Sequence, residues 1–359
     1  MTERCLLVSS FMAMYKGGYI NSIIRLIEKM HSNGDEVVFI FPESEQRAPW
    51  LDEIEALGCK VYLLKYRPYS LDNIKFIKKV VNEEKINLIY SDFTGWDNTV
   101  KLAKPFMPAI WHERMRVNDK DTVKKLYNIF KYRVIGAVRT YPVGISDDVY
   151  NAVNRLSWGN RASKIYDAAA VGRFDMTLPR QKNEIKKYLM FSYTPFVKGV
   201  DLAFDAMEKL NENEIKAKLV LVSHGACDNY VKERYPVLPP WLELNQPRED
   251  VEKYYFDCDC FVSASRSEGF SQSLMEALYT GMSAVVSDIP GTSWSKDFKG
   301  VTFFESGNAD SLYDVLLKNC DYEISPQDAD SNRDRVEEEY SVERWADNVI
   351  ALHKKILES

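Results

Sequence analysis

The sequence predicts an α/β protein made of two doubly wound domains with mainly parallel sheets. Three observations support this prediction. Apolar, strand-like runs alternate with stretches of helical periodicity along nearly the whole chain, which is typical of α/β layers. The chain has 359 residues, enough for two domains that each bury a core. Near its middle, residues 172–180 contain glycine and proline that interrupt both periodicities, so this segment is the best linker candidate.

The composition narrows the class of protein. With 45% hydrophobic and 28% charged residues the chain resembles ordinary soluble globular proteins. No apolar run approaches the roughly 18 residues of a membrane span. The first residues lead directly into a short strand-like run without the apolar core of a signal peptide, so we expect a cytoplasmic protein. Six cysteines without paired spacing predict reduced thiols and no zinc site.

The first predicted domain covers residues 1–175. Its strand-like runs are residues 5–9, 37–41, 61–64, 88–90 and 109–112. A loop that ends in Gly17-Gly18 follows the first run. The next stretch predicts a helix, because its apolar residues recur on one face, namely Ile20, Ile23, Ile24, Ile27 and Met30.

Charge is unevenly distributed along the chain. Residues 1–180 hold 27 Lys and Arg against 21 Asp and Glu, whereas the remaining residues hold 20 against 32. This asymmetry predicts that the first half meets an anionic partner. Residues 120–133 are basic, with aromatic residues at helical spacing. Two interpretations stay open, a surface helix whose apolar side packs on the core and an interfacial helix on anionic lipid headgroups. Nucleic acid is not expected, since no recognised nucleic-acid module accompanies the segment.

The second predicted domain covers residues 181–340. Its strand-like runs are residues 189–193, 219–222, 241–244, 260–262 and 284–287. A final helix, residues 341–359, begins at Ser341 and carries apolar residues at helical spacing. Packing back on the first domain is one arrangement that this helix allows.

Residues 265–281 are the most informative stretch. They predict a strand end, a loop and a short helix with Ser271 as its N-cap and Gly281 as its left-handed C-terminal residue. Glu268 then lies in the loop and Glu276 on the helix, so both carboxylates can face one ligand. The N–H groups at the start of such a helix suit a phosphate or sugar oxygen.

Seven residues separate Glu268 from Glu276, within Ser-x-x-Glu-Gly-Phe and Glu-Ala-Leu-x-x-Gly. This block resembles the Glu-x7-Glu motif of the retaining glycosyltransferases of family four, also called glycosyl transferases group 1. It extends through a small-residue strand to Pro290-Gly291. The resemblance implies the GT-B fold, with two Rossmann-like domains that face each other across a cleft. The first domain would take the acceptor and the second the nucleotide-sugar donor.

The resemblance also implies a set of site residues. Lys198, before Gly199, would hold the donor diphosphate, Glu268 a sugar hydroxyl and Glu276 the ribose hydroxyls. The implied catalytic residues are Glu268, His112 and Lys198, and the implied donor-binding residues are Glu276, Gly269, Phe270, Ser271, Gly17, Gly18, Tyr193 and Arg266.

The sequence departs from the family pattern at one position. Tyr193 stands where the family has an arginine five residues before the lysine, so a second cation for the diphosphate is missing. Arg266 and Arg173 are candidates to replace it. His224, beside Gly225, ends a predicted strand, and a structural role is the favoured interpretation for it.

The expected reaction is the transfer of a hexosyl unit from a nucleoside-diphosphate sugar, a UDP-sugar above all, to a hydroxyl of a glycan or lipid-linked saccharide. Retention at the anomeric carbon, a role in cell-surface polysaccharide biosynthesis and peripheral association with the inner face of a membrane complete this prediction. One alternative is a non-catalytic GT-B partner that binds a glycan or glycoprotein. Tyr193 in place of the family's arginine favours this alternative. The other is a sugar-nucleotide epimerase.

We expect neither a cofactor nor a metal ion. Asp257-Cys258-Asp259 resembles the Asp-x-Asp metal motif of the GT-A glycosyltransferases. It lies at the entrance to a predicted strand, however, where an aspartate of the GT-B family has a structural role.

Overall fold

The structure is a computed structural model that describes residues 3–11, 16–44, 47–65, 67, 70–93, 95–117, 121–158 and 161–358. The chain divides into two compact units. The first unit comprises Met1–Ala170 and Val342–Ser359, and the second comprises Val171–Ser341. Among the described residues, no helix has both the length and the apolar character that crossing a membrane requires.

Seven parallel strands form the sheet of the first unit. In chain order they are β1 (Arg4–Ser9), β2 (Glu36–Pro42), β3 (Lys60–Leu64), β4 (Leu88–Asp92), β5 (Ala109–Glu113), β6 (Thr140–Gly144) and β7 (Ser163–Lys164). Across the sheet their order is β3-β2-β1-β4-β5-β6-β7. The direction in which the chain adds strands therefore reverses between β1 and β4. Cys5 illustrates the register, since it pairs with Val37 on one side and Leu88 on the other.

Helices connect these strands, as parallel strands require. They are α1 (Gly18–Ser32), α2 (Leu51–Ala56), α3 (Leu71–Glu83), α4 (Asp97–Ala103), α5 (Thr122–Phe130) and α6 (Asp147–Leu156). The helix predicted after the Gly17-Gly18 loop is α1, and it buries Ile20, Ile23, Ile27 and Met30 as its periodicity indicates.

The second unit contains a six-stranded parallel sheet. Its strands are β8 (Lys186–Ser192), β9 (Ala217–Ser223), β10 (Leu242–Asn245), β11 (Cys260–Ser263), β12 (Ser283–Ser287) and β13 (Val301–Phe304). They are arranged β10-β9-β8-β11-β12-β13, so the order reverses between β8 and β11. Two parallel sheets with connecting helices confirm the predicted α/β fold class.

The helices of the second unit are α7 (Pro195–Lys198), α8 (Val200–Leu210), α9 (Ala226–Arg234), α10 (Glu252–Asp257), α11 (Gln272–Tyr279), α12 (Ala309–Asn319) and α13 (Pro326–Tyr340). The last helix, α14 (Val342–Leu357), belongs to the first unit. Its buried Trp345, Val349 and Ile356 join the same apolar cluster as Ile23 and Leu26 of α1. The end of the chain thus completes the core around the first strand.

The linker candidate, residues 172–180, lies within the second unit. Val171–Arg173 forms a 3-10 turn. The Arg180 side chain donates to the main-chain oxygens of Tyr255 and Cys258, both at 3.0 Å. The boundary between the units accordingly falls between Ala170 and Val171.

Three strands have no counterpart among the predicted runs. β6 contains Pro142 and ends at Gly144, two residue types that argue against a strand. β7 has only two residues, and β13 is a short edge strand whose residues are largely half-buried or exposed. Burial on both faces makes a strand recognisable from sequence, and the edge strands β7 and β13 lack it, whereas β6 is largely buried.

The basic segment 120–133 forms α5 and the π-helical turn Lys131–Ile135, with Lys120 outside the described residues. No residue of α5 is buried, whereas Lys131 and Tyr132 of the following turn are, so only the end of the segment packs on the core. Lys131 is the exception to the predicted basic surface. Its ammonium is buried, 2.9 Å from Asp97 Oδ2 and 2.8 Å from Glu113 Oε1.

Candidate functional site

The reversal of strand order in the second sheet positions most of the predicted donor residues. In open parallel sheets, ligands bind in the crevice at the carboxyl ends of the strands where the order reverses. β8 ends at Ser192 and β11 at Ser263, and these strands are neighbours. Tyr193 and Lys198 follow β8, whereas residues 265–271 follow β11. The fold alone therefore brings two distant parts of the chain to one edge of the sheet.

Gly199 fixes the position of Lys198. It lies between α7 and α8 with φ of +72°, a backbone conformation that glycine adopts without strain. A Cβ atom at this position would lie 2.0 Å from the carbonyl oxygen of Ala264, just past the end of β11. Only glycine permits so close an approach. The Lys-Gly pair thus holds the lysine against the loop that carries Glu268.

Lys198 and Glu268 are in direct contact. The Lys198 ammonium lies 2.6 Å from Glu268 Oε1, and the Ser265 hydroxyl donates to the same oxygen at 2.7 Å. The Glu268 side chain is 12% exposed and that of Lys198 32% exposed. Gly291 packs closely against the loop that carries Glu268, because a Cβ atom at Gly291 would lie 2.4 Å from the carbonyl oxygen of Glu268.

A small crevice opens beside this ion pair. Its polar lining comes from Lys198, Ser265, Glu268, Ser271 and Ser273, and its floor from strands β8 and β11. Ser271 occupies the predicted N-cap position of α11 with extended backbone, but its side chain makes no capping hydrogen bond. The first-turn N–H groups of α11 therefore have no side-chain acceptor at the N-cap. An ammonium and helix N–H groups together suit an anion.

Glu268 lies in the loop and Glu276 on α11, as predicted. Gly281, just after this helix, has φ of +83°, which confirms the predicted left-handed residue. Unlike Glu268, the Glu276 carboxylate is deeply buried, with 6% exposure.

Two neighbours hold the Glu276 carboxylate. The Tyr255 hydroxyl donates to Oε2 at 2.7 Å, and Arg173 Nη2 donates to Oε1 at 3.3 Å. Burial raises the pKa of Glu276, whereas the Arg173 charge and the Tyr255 hydrogen bond lower it. The result is an acceptor group with a fixed orientation. Tyr255 was missed by the sequence analysis, because its contact depends on how α10 packs against α11.

Arg266 is engaged elsewhere in the unit. Its guanidinium forms a two-pronged ion pair with Asp201, at 2.7 and 2.6 Å, and lies 4.1 Å from the centre of the Phe196 ring. Such a fork holds Arg266 against the start of α8. Tyr193 is half-exposed, and its ring stacks on His224 with centroids 4.4 Å apart. The structure thus pairs Tyr193 with His224, at the carboxyl ends of the adjacent strands β8 and β9.

Phe270 contributes its side chain to a core. The ring is 6% exposed and stacks on Trp294 with centroids 4.8 Å apart, beside Tyr340 at 5.8 Å. A donor contact of Phe270 would therefore involve its backbone. Gly269 precedes it at a half-buried position of the same loop.

Gly17 is exposed and Gly18 is half-buried at the start of α1 in the first unit. Gly17 has φ of −83°, and among the described residues nothing lies within 4 Å of a Cβ built there. Neither backbone conformation nor packing within the described chain therefore requires glycine at this position. Close approach of a ligand to the backbone stays the predicted role of Gly17. Residues 12–15 of the same predicted loop lie outside the described residues.

His112 ends up inside the first unit, near the end of β5. Its exposure is 1%, the Tyr90 hydroxyl forms a short hydrogen bond with Nδ1, and the Trp345 ring of α14 lies nearly parallel to it with centroids 6.2 Å apart. Nε2 is buried and has no hydrogen-bond partner among the described residues. Burial first, and then the charges of Arg114 and His353, lower the pKa of His112, so the imidazole is neutral.

A buried ionic cluster lies beside the reversal point of the first sheet. Arg114, after β5, donates to Asp92 Oδ1 at 2.7 Å and to Asp167 Oδ1 at 2.5 Å. Its guanidinium also lies 4.8 Å from the ring centre of Tyr19 and 5.3 Å from that of Trp345. Removing one partner from such a cluster leaves an uncompensated buried charge. The cluster therefore fixes the carboxyl ends of β4 and β5.

Two groups bear on the expectation of no metal ion. Asp259 accepts hydrogen bonds from the Asn183 amide at 3.2 Å and from the Lys187 main-chain N–H at 2.8 Å, which is a structural role. In the described part of the chain, one trio of metal-ligand types lies close together, Glu3, Cys5 and His353. A direct hydrogen bond of 2.6 Å between Glu3 Oε1 and His353 Nδ1 accounts for its geometry. Absence of a metal ion stays a prediction.

Comparisons with known proteins concern the fold and the sequence of the second unit. Residues 186–320 match a family model described as Glycosyl transferases group 1. No curated protein matches the sequence. A glycosyltransferase from Rickettsia africae is similar over 100% of this chain and 99% of its own, with 16% identity and a TM-score of 0.81.

Two further solved structures are similar over nearly their whole length. Anabaena Alr3699/HepE, in complex with UDP and glucose, has 14% identity and a TM-score of 0.75 over 99% of this chain and 100% of its own. WaaG, a glycosyltransferase involved in lipopolysaccharide biosynthesis, has 14% identity and a TM-score of 0.68 over 96% and 98%. At these identities the likeness establishes the fold. The chain thus has the fold of GT-B glycosyltransferase structures, and its residues 186–320 match the group 1 glycosyl transferases.

Proposed function

We propose that the protein is a retaining glycosyltransferase. It transfers a hexosyl unit from a UDP-sugar to a hydroxyl of a glycan or lipid-linked saccharide, in cell-surface polysaccharide biosynthesis. The observation that carries the proposal is the gathering of Lys198, Glu268 and Glu276 at one edge of the second sheet, within the segment that matches the family model. The binding of UDP and glucose by Anabaena Alr3699/HepE supports the choice of donor.

Each group has a task that its surroundings suit. Lys198 and the first N–H groups of α11 meet the negative charge that develops on the departing diphosphate. Glu268, beside the same crevice, holds a sugar hydroxyl near the positive charge of an oxocarbenium-like sugar. Glu276 accepts hydrogen bonds from the ribose hydroxyls with oxygens that Tyr255 and Arg173 already orient. Glu276 therefore positions the donor and takes no part in bond breaking.

Gly17, Gly18 and His112, which the family resemblance also implies, lie in the first unit. The glycine backbone allows close approach of donor phosphate and acceptor. His112 is neutral and its Nε2 has no hydrogen-bond partner among the described residues, but this nitrogen is buried, so a contact with the transferred sugar requires that it become accessible. In the displacement that we propose, the leaving phosphate takes the proton of the acceptor hydroxyl on the same face of the sugar. No cofactor or metal ion enters this scheme.

Transfer and donor hydrolysis over a panel of UDP-, GDP- and ADP-sugars test the proposal. We expect one sugar nucleotide to be consumed, with the anomeric configuration retained in the product by NMR. Glu276→Gln serves as a control that keeps the side-chain shape and should weaken nucleotide binding. If calorimetry detects no binding of any sugar nucleotide, the proposed glycosyltransferase activity is contradicted. That result favours the alternative of a non-catalytic GT-B partner. Interconversion of free sugar nucleotides without transfer identifies an epimerase.

A second proposal concerns where the acceptor is met. We propose that α5 contacts an anionic membrane surface at the cytoplasmic face. Large apolar side chains on and just after this helix are exposed, namely Val123, Leu126, Tyr127, Phe130 and Val134, at 45–75%. A contiguous exposed apolar patch is typical of an interaction surface. Lys124 and Lys125 are exposed beside it and suit anionic headgroups.

Vesicle flotation tests this proposal. Vesicles with about a third anionic lipid should carry the wild type, whereas Leu126→Glu with Phe130→Glu should abolish flotation. Leu71→Glu is the matched control, since Leu71 is 72% exposed but lies on α3. Lys124→Glu with Lys125→Glu should weaken binding to anionic vesicles alone. Equal flotation of wild type and the α5 variants refutes the membrane role, as does indifference to lipid charge.

A further inference from the structure

The inference concerns the ion pair between Lys198 and Glu268, and it rests on the proposed function. In the donor complex Lys198 is expected to meet the diphosphate, whereas Glu268 is expected to meet the sugar. In the protein itself the two side chains meet each other at 2.6 Å. A single ammonium thus has two anionic partners to choose between. The diphosphate must compete with Glu268 for Lys198.

The backbone near both residues is closely packed. Gly199 holds the lysine segment against Ala264, where a Cβ atom would come within 2.0 Å of the carbonyl oxygen. Gly291 holds the glutamate segment in the same way, at 2.4 Å from the Glu268 carbonyl oxygen. The backbones on either side of the ion pair are therefore closely packed, and rotation of the side chains parts the two residues without disturbing that packing.

The two side chains differ in their freedom to rotate. Glu268 is 12% exposed and accepts a second hydrogen bond, from Ser265, whereas a third of the Lys198 side chain is exposed. Lys198 is accordingly the partner that turns toward an incoming phosphate. Glu268 then stays behind with one neutral donor, next to a ligand of its own charge. Like charges so close disfavour each other.

A donor that carries its sugar resolves this conflict. Sugar hydroxyls donate hydrogen bonds to Glu268 and replace the ammonium that it has lost. A nucleoside diphosphate without the sugar offers no such donor. We propose that Glu268 is an internal competitor of the diphosphate, through which the site binds the sugar nucleotide in preference to the nucleoside diphosphate that remains after transfer. Product release is thereby built into the ion pair.

Glu276 provides the contrast. It has the same carboxylate and lies on the same motif, but its partners are Arg173 and Tyr255 rather than Lys198. Its removal takes away a ribose contact without releasing the lysine. The two glutamates should therefore change nucleotide affinity in opposite directions when each is made neutral.

The experiment measures UDP and UDP-glucose binding to the full-length chain by titration calorimetry in low salt. We expect Glu268→Gln to bind UDP roughly fivefold to tenfold more tightly than wild type, the size of one partly screened charge interaction. The preference for UDP-glucose over UDP should shrink in parallel. Glu276→Gln should bind UDP more weakly. Lys198→Met should lose affinity, and adding Glu268→Gln to it should restore little, because the contested ammonium is gone.

Two results overturn the inference. One is a Glu268→Gln variant that binds UDP no more tightly than wild type while its thermal midpoint is unchanged. The other is an equal gain in the Lys198→Met background, which assigns the effect to general charge rather than to the pair. Both leave the proposed function intact when wild type still transfers sugar. A wild type that binds no UDP and no UDP-sugar refutes the proposed function itself, and the inference with it.

Discussion

Gly199→Ala is the substitution for which the structure predicts the largest local effect on the donor site. Two separate penalties apply at this position. An alanine would have to adopt φ of +72°, and its Cβ would lie 2.0 Å from the carbonyl oxygen of Ala264. Gly307 separates the first penalty from the second, because it has φ of +83° in the same unit and, among the described residues, nothing lies within 4 Å of a Cβ there. Gly307→Ala is therefore the matched control.

The magnitudes follow from these contacts. Left-handed backbone costs a non-glycine residue about 1–2 kcal/mol, which is the whole expectation for Gly307→Ala. A clash with main-chain atoms adds about 1–3 kcal/mol, because the neighbouring backbone must shift. Gly199→Ala should thus destabilise the second unit by about 2–5 kcal/mol. The shift also moves Lys198 away from Glu268, so UDP affinity should fall roughly tenfold or more in any protein that still folds.

Hydrogen exchange and calorimetry check both effects. Exchange of the amides in β8, β11 and α8 reports the stability of the second unit separately from that of the first. Titration calorimetry with UDP measures the nucleotide affinity, which shows whether Lys198 is still correctly positioned. Equal losses of protection in Gly199→Ala and Gly307→Ala would show that the close approach to Ala264 carries no cost. Wild-type UDP affinity in Gly199→Ala would show that the glycine does not position Lys198.

Two further predictions concern pH. Burial raises the pKa of Glu276 above 4.5, so the second unit loses stability as pH rises from 4.5 through the folded value. Tyr255→Phe removes a hydrogen bond that lowers this pKa. Urea unfolding of the variant should therefore show a free energy of unfolding about 2 kcal/mol below that of wild type near neutral pH, and this difference should shrink toward pH 4.5. A difference that does not depend on pH contradicts the argument. In the first unit, burial lowers the pKa of Lys101 to about 8 from 10.5, so this unit should gain stability between those pH values. In Lys101→Met, thermal melting should no longer show this rise in stability with pH. A variant with the same pH dependence as wild type would contradict the assignment to Lys101.

The sequence was sufficient to predict the local structure of the motif. Strand, loop and helix between Cys260 and Gly281 follow from apolar runs, a serine and glycines, which act over a few residues. Glu268 in the loop and Glu276 on the helix follow in turn. The same reasoning failed at β6, a largely buried strand that contains Pro142 and Gly144. It also failed at β13, since this edge strand is half-exposed and lacks the continuous apolar pattern of a buried strand.

Partners of the charged residues were not predictable in this way. The sequence offered Arg266 and Arg173 as replacements for the missing cation, and the structure distinguishes them. Arg266 is held in a fork by Asp201, 65 residues away, whereas Arg173 reaches Glu276 across 103 residues. Such pairings depend on how helices pack against the sheet. The spacing of charged residues along the chain does not predict that packing.

By itself, the sequence determined the α/β class, the two sets of strands and the glutamate motif, because each depends on interactions between near neighbours in the chain. Only the tertiary structure decided that Lys198 faces Glu268 over a separation of 70 residues. The reversal of strand order puts β8 beside β11. Close packing of Gly199 on Ala264 and of Gly291 on Glu268 then positions the lysine and glutamate segments. Contact between the two residues is a consequence of sheet topology and close packing, and neither has a local signal.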